Sequence, residues 1–195
     1  MIKPDCPLLL ASASRYRAEL LARLRLPFTA TASAVDETPR PGEDAESLVR
    51  RLARDKAQAL AERHPAHWVL GSDQAAALDD GRIFGKPGTR EAAIQQLQAA
   101  AGRSVRFLTG VALWDRQAWH EALDVTTVRF RDLDLPEIER YVDTEPALDC
   151  AGSFKCEGYG ITLFEAIDSQ DPTGLIGLPL IAVRRLLTQA GYALP

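Results

Sequence analysis

Apolar residues in this chain fall into short continuous runs separated by helix-period stripes. Leu8-Leu9-Leu10-Ala11 lies between Pro7 and Ser12 and predicts a short strand buried on both faces. Ser12 and Ser14 then precede a helix predicted over Arg15–Leu26, with Leu20, Leu21 and Leu24 on one face and Pro27 beyond its end. Phe28–Ala32 fits a strand, and the proline-rich stretch from Thr38 to Asp44 fits a loop. Glu46–Arg63 predicts a strong helix on the recurrence of Leu48, Leu52 and Leu60. Trp68-Val69-Leu70 predicts a second buried strand, ending in a turn at Gly71-Ser72-Asp73.

The second half continues the alternation. Asp79-Asp80-Gly81 signals a turn, and Gly85-Lys86-Pro87-Gly88 a loop. Thr89 is placed to cap a helix running to about Ala101, with Glu91 in its first turn. Val105–Trp114 and Ala122–Phe130 read as a long hairpin. Asp134, ahead of Pro136 and Glu137, opens a helix to about Asp143. Ile161–Ala166 fits a strand, and Pro179–Ala190 a last helix closed by Gly191. Strands alternating with helices predict a mixed α/β fold.

Composition narrows the function. The chain has 195 residues, enough for one domain with a real core or two small lobes sharing a sheet. With 46% hydrophobic and 26% charged residues, disorder and fibrous folds are excluded. A formal net charge of -4 argues against unspecific nucleic-acid binding but leaves room for a local basic pocket. No stretch approaches the roughly 18 apolar residues that span a bilayer, and Leu8–Ala11 is too short for a signal-peptide core. The expected location is therefore the cytoplasm, with no membrane partner. Cys6, Cys150 and Cys156 are odd in number, against a disulfide framework, and the spacing of Cys150 and Cys156 does not suit a zinc knuckle.

Charged residues interrupt the apolar stripes. Position 56 lies four residues from both Leu52 and Leu60, where the stripe calls for leucine, yet it is Lys56. Either Lys56 lays its stem on apolar surface and reaches water, or the stripe ends at a site for an anion. Arg17 repeats the pattern on the inward side of the first helix, where backbone N–H groups and the helix dipole already favour anions. Its alternative is an exposed arginine paired with a carboxylate. Lys86, between Gly85 and Pro87, is a third candidate cation. Asp73 follows an apolar strand, and Asp36-Glu37 precedes the proline-rich loop. Their carboxylates suit magnesium or manganese, or can orient a water as a base, and each has a plain alternative as a turn residue. Cations for phosphate plus acids for metal and water compose a site for phosphoanhydride hydrolysis.

Taken in order, LLLASASRYRAELL (8–21), VDETP (35–39), LARDKAQAL (52–60), LGSDQ (70–74), GKP (85–87), ALDCAGSFKCEGYG (147–160) and GLPLIAV (177–183) resemble the Maf family of nucleotide pyrophosphatases. The resemblance covers nearly the whole chain. It implies a Maf/ITPase-like α/β fold: a long curved sheet with flanking helices and a deep cleft between two lobes of a single domain spanning 1–195. It implies a homodimer, and hydrolysis between the α- and β-phosphates of a nucleoside triphosphate with a divalent cation, Mg or Mn. Position by position, Asp73 matches the family's proton acceptor, and Glu37 an acid that assists metal or water. Ser12, Arg17, Lys56 and Lys86 match residues that hold phosphate, and the amides near Ser12–Ser14 are expected to join them.

Two departures choose a branch. Where many members have Pro-Arg-Arg, this chain has Arg15-Tyr16-Arg17, and Gln74 replaces the threonine of the thymidine/uridine-nucleotide branch. Tyr16, Gln74 and Ser-Phe-Lys-x-Glu-Gly (153–158) resemble the branch acting on 7-methyl-GTP. An aromatic face such as Tyr16 can stack on the cationic ring of 7-methylguanine, and Glu157 can accept from its N1–H and N2 edge. The alternatives are a dTTP/UTP pyrophosphatase, or a non-catalytic nucleotide-binding regulator of cell division. Tyr16 is otherwise a partly exposed helix residue, and Glu157 a surface acid near a turn.

Overall fold

The computed structural model describes residues 7–192 and Leu194, so Cys6 lies outside the described residues. It is a mixed α/β structure whose strands are β1 (Leu8–Leu10), β2 (Phe28–Ala30), β3 (Trp68–Leu78), β4 (Ile83–Phe84), β5 (Ser104–Trp114), β6 (Trp119–Phe130) and β7 (Phe164–Asp168). Helices α1 (Arg15–Ala22), α2 (Ala45–Ala61), α3 (Arg90–Ala100), α4 (Leu135–Thr144) and α5 (Leu180–Gln189) alternate with them. Strand order is β2-β1-β3-β5-β6-β7, with β4 on β3. The chain divides into two compact units. The first comprises residues 1–73, 109–124 and 171–195, and the second residues 74–108 and 125–170.

In the first unit β1 pairs in parallel with β2 and with β3, Leu10 lying opposite Ala30 and Leu70. An all-leucine strand suits this central place, because both of its faces are covered. Leu8 and Leu10 join Leu20 and Leu21 of α1 and Val183, Leu186 and Leu187 of α5 in one core cluster. Leu9 and Ala11 point the other way, onto Ala57 and Leu60 of α2. The predicted first helix stops early. It ends at Ala22, and Arg25 takes a left-handed conformation (φ 54°) before Pro27. Pro27 forces the preceding chain out of helix, so Leu24 and Leu26 pack from a turn.

Helix α2 begins one residue before the predicted start, with the Asp44 side chain capping Ser47 N–H at 2.7 Å. Its buried face approaches β3 and β5 at two glycines. A Cβ on Gly71 would meet Ala53 O at 2.0 Å, and one on Gly110 would meet Val49 O at 2.5 Å. The turn expected after Leu70 does not form. Gly71-Ser72-Asp73 is not a turn: the strand runs on through Leu78, with every residue but Gln74 buried. Gly71 marks a helix backbone passing close by rather than a bend, the usual second meaning of glycine in a strand.

The second unit is built around Phe107, Phe130, Phe154 and Phe164, whose rings meet edge to face at centroid distances of 4.7–5.7 Å. The Asp79–Gly81 turn forms as expected and joins β3 to an antiparallel β4. Thr89 caps α3, and Asp134 with Glu137 forms a full capping box on α4. The strand expected at Ile161–Ala166 is displaced. Residues 159–163 form a 3-10 turn and β7 begins at Phe164, antiparallel to β6. Glu145 causes the shift, because its carboxylate accepts the Gly160 N–H at 3.1 Å and draws that segment to the end of α4.

Gly71→Ala and Gly110→Ala are each expected to destabilise the fold by about 1–3 kcal/mol or more, since the added methyl meets helix backbone that cannot rotate away. Gly85→Ala, where a Cβ meets nothing within 4 Å, is the control and should shift stability by less than about 0.5 kcal/mol. Urea unfolding of the three variants checks this.

Candidate functional site

Close packing of α2 on β3 decides where Lys56 goes. The lysine lies on the buried stripe of α2 between Leu52 and Leu60, and only 6% of its side chain is exposed. Its ammonium does not reach bulk water. It donates to Asp73 Oδ1 at 2.6 Å and pairs with Glu37 Oε1 at 2.8 Å. Asp73 stands within β3 with its side chain 10% exposed, whereas the Glu37 side chain is 57% exposed. One cation therefore bridges a buried acid and a solvent-facing one. Oδ1 of Asp73 is taken, and its second oxygen has no hydrogen bond among the described residues.

Arg17 approaches the same acids from α1. Its Nε donates to the Gly177 carbonyl at 2.9 Å, and it forms no ion pair with a carboxylate of the described residues. The alternative of a surface arginine with a partner is thereby removed. Burial pulls its guanidinium below the ordinary arginine range, while the charges of Asp73 and Glu37 act in the opposite direction. Those two fields place Arg17 electrically with the Lys56 group. Ser14 caps α1 by accepting from Arg17 N–H, and buried Ser12 accepts from Ser14 N–H at 3.1 Å. The turn thus leaves β1 beside Leu70, with Ala11 N–H donating to the Leu70 carbonyl at 2.8 Å.

The loop carrying Glu37 is tied down from α2. Arg51 holds Glu43 through two hydrogen bonds, at 2.6 and 2.7 Å, and also donates to Thr38 O. These bonds draw the Glu43 carboxyl down to about 2. Asp36 is the turn residue of its pair, accepting from Thr38 N–H at 2.9 Å, and Glu37 is the acid that meets Lys56.

The description Maf-like protein matches residues 7–190. The chain belongs to the Maf family. A 7-methyl-GTP pyrophosphatase of Xanthomonas oryzae pv. oryzae is 58% identical over 188 residues, covering 96% of this chain and 98% of that one. Proteins of the same description are 54% identical in Pseudomonas fluorescens (97% of this chain, 99% of the other) and 53% identical in Pseudomonas aeruginosa (98% and 100%). Among solved structures, a HAM1 protein from Coxiella burnetii aligns with a TM-score of 0.53 and 16% identity, covering 96% of this chain and all of that one. That likeness concerns the fold alone.

Within this Maf chain the structure brings together Ser12, Ser14, Arg17, Glu37, Lys56 and Asp73, all in the first unit. Tyr16 is half-buried on α1, with the Arg15 guanidinium 5.4 Å from its ring centroid. Gln74, Lys86 and Glu157 belong to the second unit. Gln74 is half-buried in β3, Lys86 is exposed on the loop before α3, and Glu157 is exposed, accepting weakly from Cys156 Sγ at 3.5 Å. Cys150 and Cys156 are free thiols, and burial pushes both up to about 12. Sequence reasoning missed the Gly177 carbonyl and Ser72, whose hydroxyl donates to that carbonyl at 3.4 Å. Gly177 stood in a recognised motif, but a backbone oxygen leaves no mark in a sequence.

Two outcomes are expected. Lys56→Met leaves a buried carboxylate unpaired and should cost about 3–5 kcal/mol in denaturant unfolding, while Glu37→Gln, at the solvent-facing end, should cost under about 1 kcal/mol. For Glu43 the folded value lies below its ordinary 4.5, so its contribution is complete above pH 4.5 and is lost as pH falls toward about 2. The Tm gap between the parent and Glu43→Gln should be present at pH 7, narrow below pH 4.5 and close near pH 2.

Proposed function

We propose that this protein hydrolyses 7-methyl-GTP to 7-methyl-GMP and pyrophosphate, using Asp73 as base and Arg17, Lys56 and Lys86 as phosphate ligands. One observation carries the reading: a buried lysine is clamped between two acids, next to an arginine whose terminal nitrogens have no carboxylate partner among the described residues. The names of relatives 53–58% identical over nearly the whole chain support the choice of reaction and substrate.

The unengaged oxygen of Asp73 accepts a proton from water as the water oxygen attacks the α-phosphorus. The bond from that phosphorus to the bridging oxygen breaks, and pyrophosphate departs with the electron pair. Lys56 orients Asp73 through the hydrogen bond to its Oδ1. The Nη groups of Arg17 offer a planar fork to phosphate oxygens, aided by the first-turn amides of α1. Lys86 adds a positive charge from its exposed loop position. Tyr16 stacks on the cationic base, exchanging its contact with Arg15, while Gln74 and Glu157 read the base edge.

A divalent metal fits these residues. No group of three or more His, Cys, Asp or Glu side chains among the described residues can hold an ion. Magnesium, however, is commonly held by one or two carboxylates, with water and substrate phosphates completing its shell. Glu37 and Asp73 would hold it, and when bound it would neutralise charge on the triphosphate. In the same reading the enzyme is a cytoplasmic homodimer with no nucleic-acid or membrane partner. Among the described residues no helix is long and apolar enough to cross a membrane.

Purified protein assayed with 7-methyl-GTP, GTP, dTTP and UTP should release pyrophosphate fastest from the first, and lose activity in EDTA until magnesium or manganese is restored. Preference for dTTP or UTP would assign it to the other branch, and absence of turnover would favour a binding role. Asp73→Asn should remain folded with kcat lowered about a hundredfold or more.

A further inference from the structure

Arg17 reaches its position through a loop whose construction goes beyond what α5 requires. Asp171 is 3% exposed, and both of its oxygens are engaged. Oδ1 accepts from the N–H and the hydroxyl of Thr173, at 3.1 and 2.7 Å. Oδ2 accepts from the N–H groups of Ile181 and Ala182, at 2.7 and 3.4 Å. The Thr173 hydroxyl accepts in turn from Leu180 N–H at 2.8 Å, and Thr109 of β5 donates to the Gly174 carbonyl at 3.1 Å. The loop is thus pinned at its start, middle and end. Gly177 sits within it at φ +127°, a backbone region that side-chain-bearing residues rarely adopt, and a Cβ there would lie 3.9 Å from Cγ and Nε of Arg17. Its carbonyl takes two donors: Arg17 Nε and the hydroxyl of Ser72, the neighbour of Asp73.

We propose that the 171–180 loop is a positioning element for phosphate capture, in which Asp171 fixes the Gly177 carbonyl so that it holds Arg17 by its Nε–H. Five N–H donors lie in one guanidinium plane, so fixing one edge sets the direction of the other. With Nε committed to Gly177, the terminal nitrogens are the edge left for a phosphate. The same carbonyl steadies Ser72, so the phosphate fork and the strand bearing the base share one anchor. Asp171 acts on substrate only through Arg17, and a pre-set fork loses less orientational freedom on binding. This inference rests on Arg17 being a phosphate ligand.

The test follows the Arg17 side chain directly. In ¹⁵N-labelled protein the Nε–H signal of Arg17, assigned by its disappearance in Arg17→Lys, should exchange slowly. Asp171→Asn and Thr173→Val, each confirmed folded by circular dichroism, should speed that exchange about tenfold or more. Asp171→Asn should also raise KM for 7-methyl-GTP about tenfold while kcat stays within about threefold, and should raise it no further in an Arg17→Lys background. Unchanged Nε–H exchange, or an equal rise in KM in both backgrounds, would overturn the proposal. So would failure of both loop variants to fold, because the loop would then serve the fold and not Arg17. If Arg17→Lys alone leaves KM unchanged, the phosphate role of Arg17 is lost, while the exchange measurement still decides whether the loop aims it.

Discussion

Helix α2 lies nearer to β3 and β5 than side chains at positions 71 and 110 would permit, and the arrangement of the site depends on that approach. A helix held at this distance projects its buried stripe directly onto the strand. Three of the stripe's members are leucines that fill core volume. The fourth is Lys56, which the approach delivers onto Asp73. Larger residues at the two glycines would raise the helix, and the ammonium would no longer meet the carboxylate at hydrogen-bonding distance.

The resulting electrostatics are uneven by design of the packing. Asp73 is buried and Glu37 faces solvent, so the same lysine is held firmly at one end and loosely at the other. A buried pair is stable only when both charges stay compensated, and this fixes Lys56 and Asp73 as a unit. Glu37, by contrast, faces solvent and can give up its contact at little cost. Arg17 completes the balance: two positive and two negative side chains stand together, and among the described residues the guanidinium is the member not satisfied by a carboxylate.

Backbone atoms carry as much of this arrangement as side chains do. Gly177 contributes a carbonyl and a φ of +127°, and the α1 N-terminus contributes amides organised by Ser12 and Ser14. The loop bearing Glu37 is held by Arg51 from outside the site. In each case the group that could touch phosphate is oriented by one that would not, as expected where geometry more than chemical reactivity sets the rate.

The sequence by itself determined the alternation of strands and helices, the cap at Thr89, the helix start after Asp134, and the anomaly at position 56. Each of these is local, depending on periodicity or on a side chain within a few residues of the backbone it bonds. The motif order likewise carried the family. Tertiary structure alone decided that Gly71 is a close approach and not a turn, because the helix residues that press on it, Ala53 and Ala57, lie in a different element earlier in the chain. It alone resolved Lys56 as a buried partner of Asp73 rather than a lysine reaching water, and made Glu37, not Asp36, the second acid that meets it. It also placed the Gly177 carbonyl 160 positions along the chain from the arginine it holds. Contacts of that kind depend on which faces are brought together by packing, and no periodicity along a single element records them.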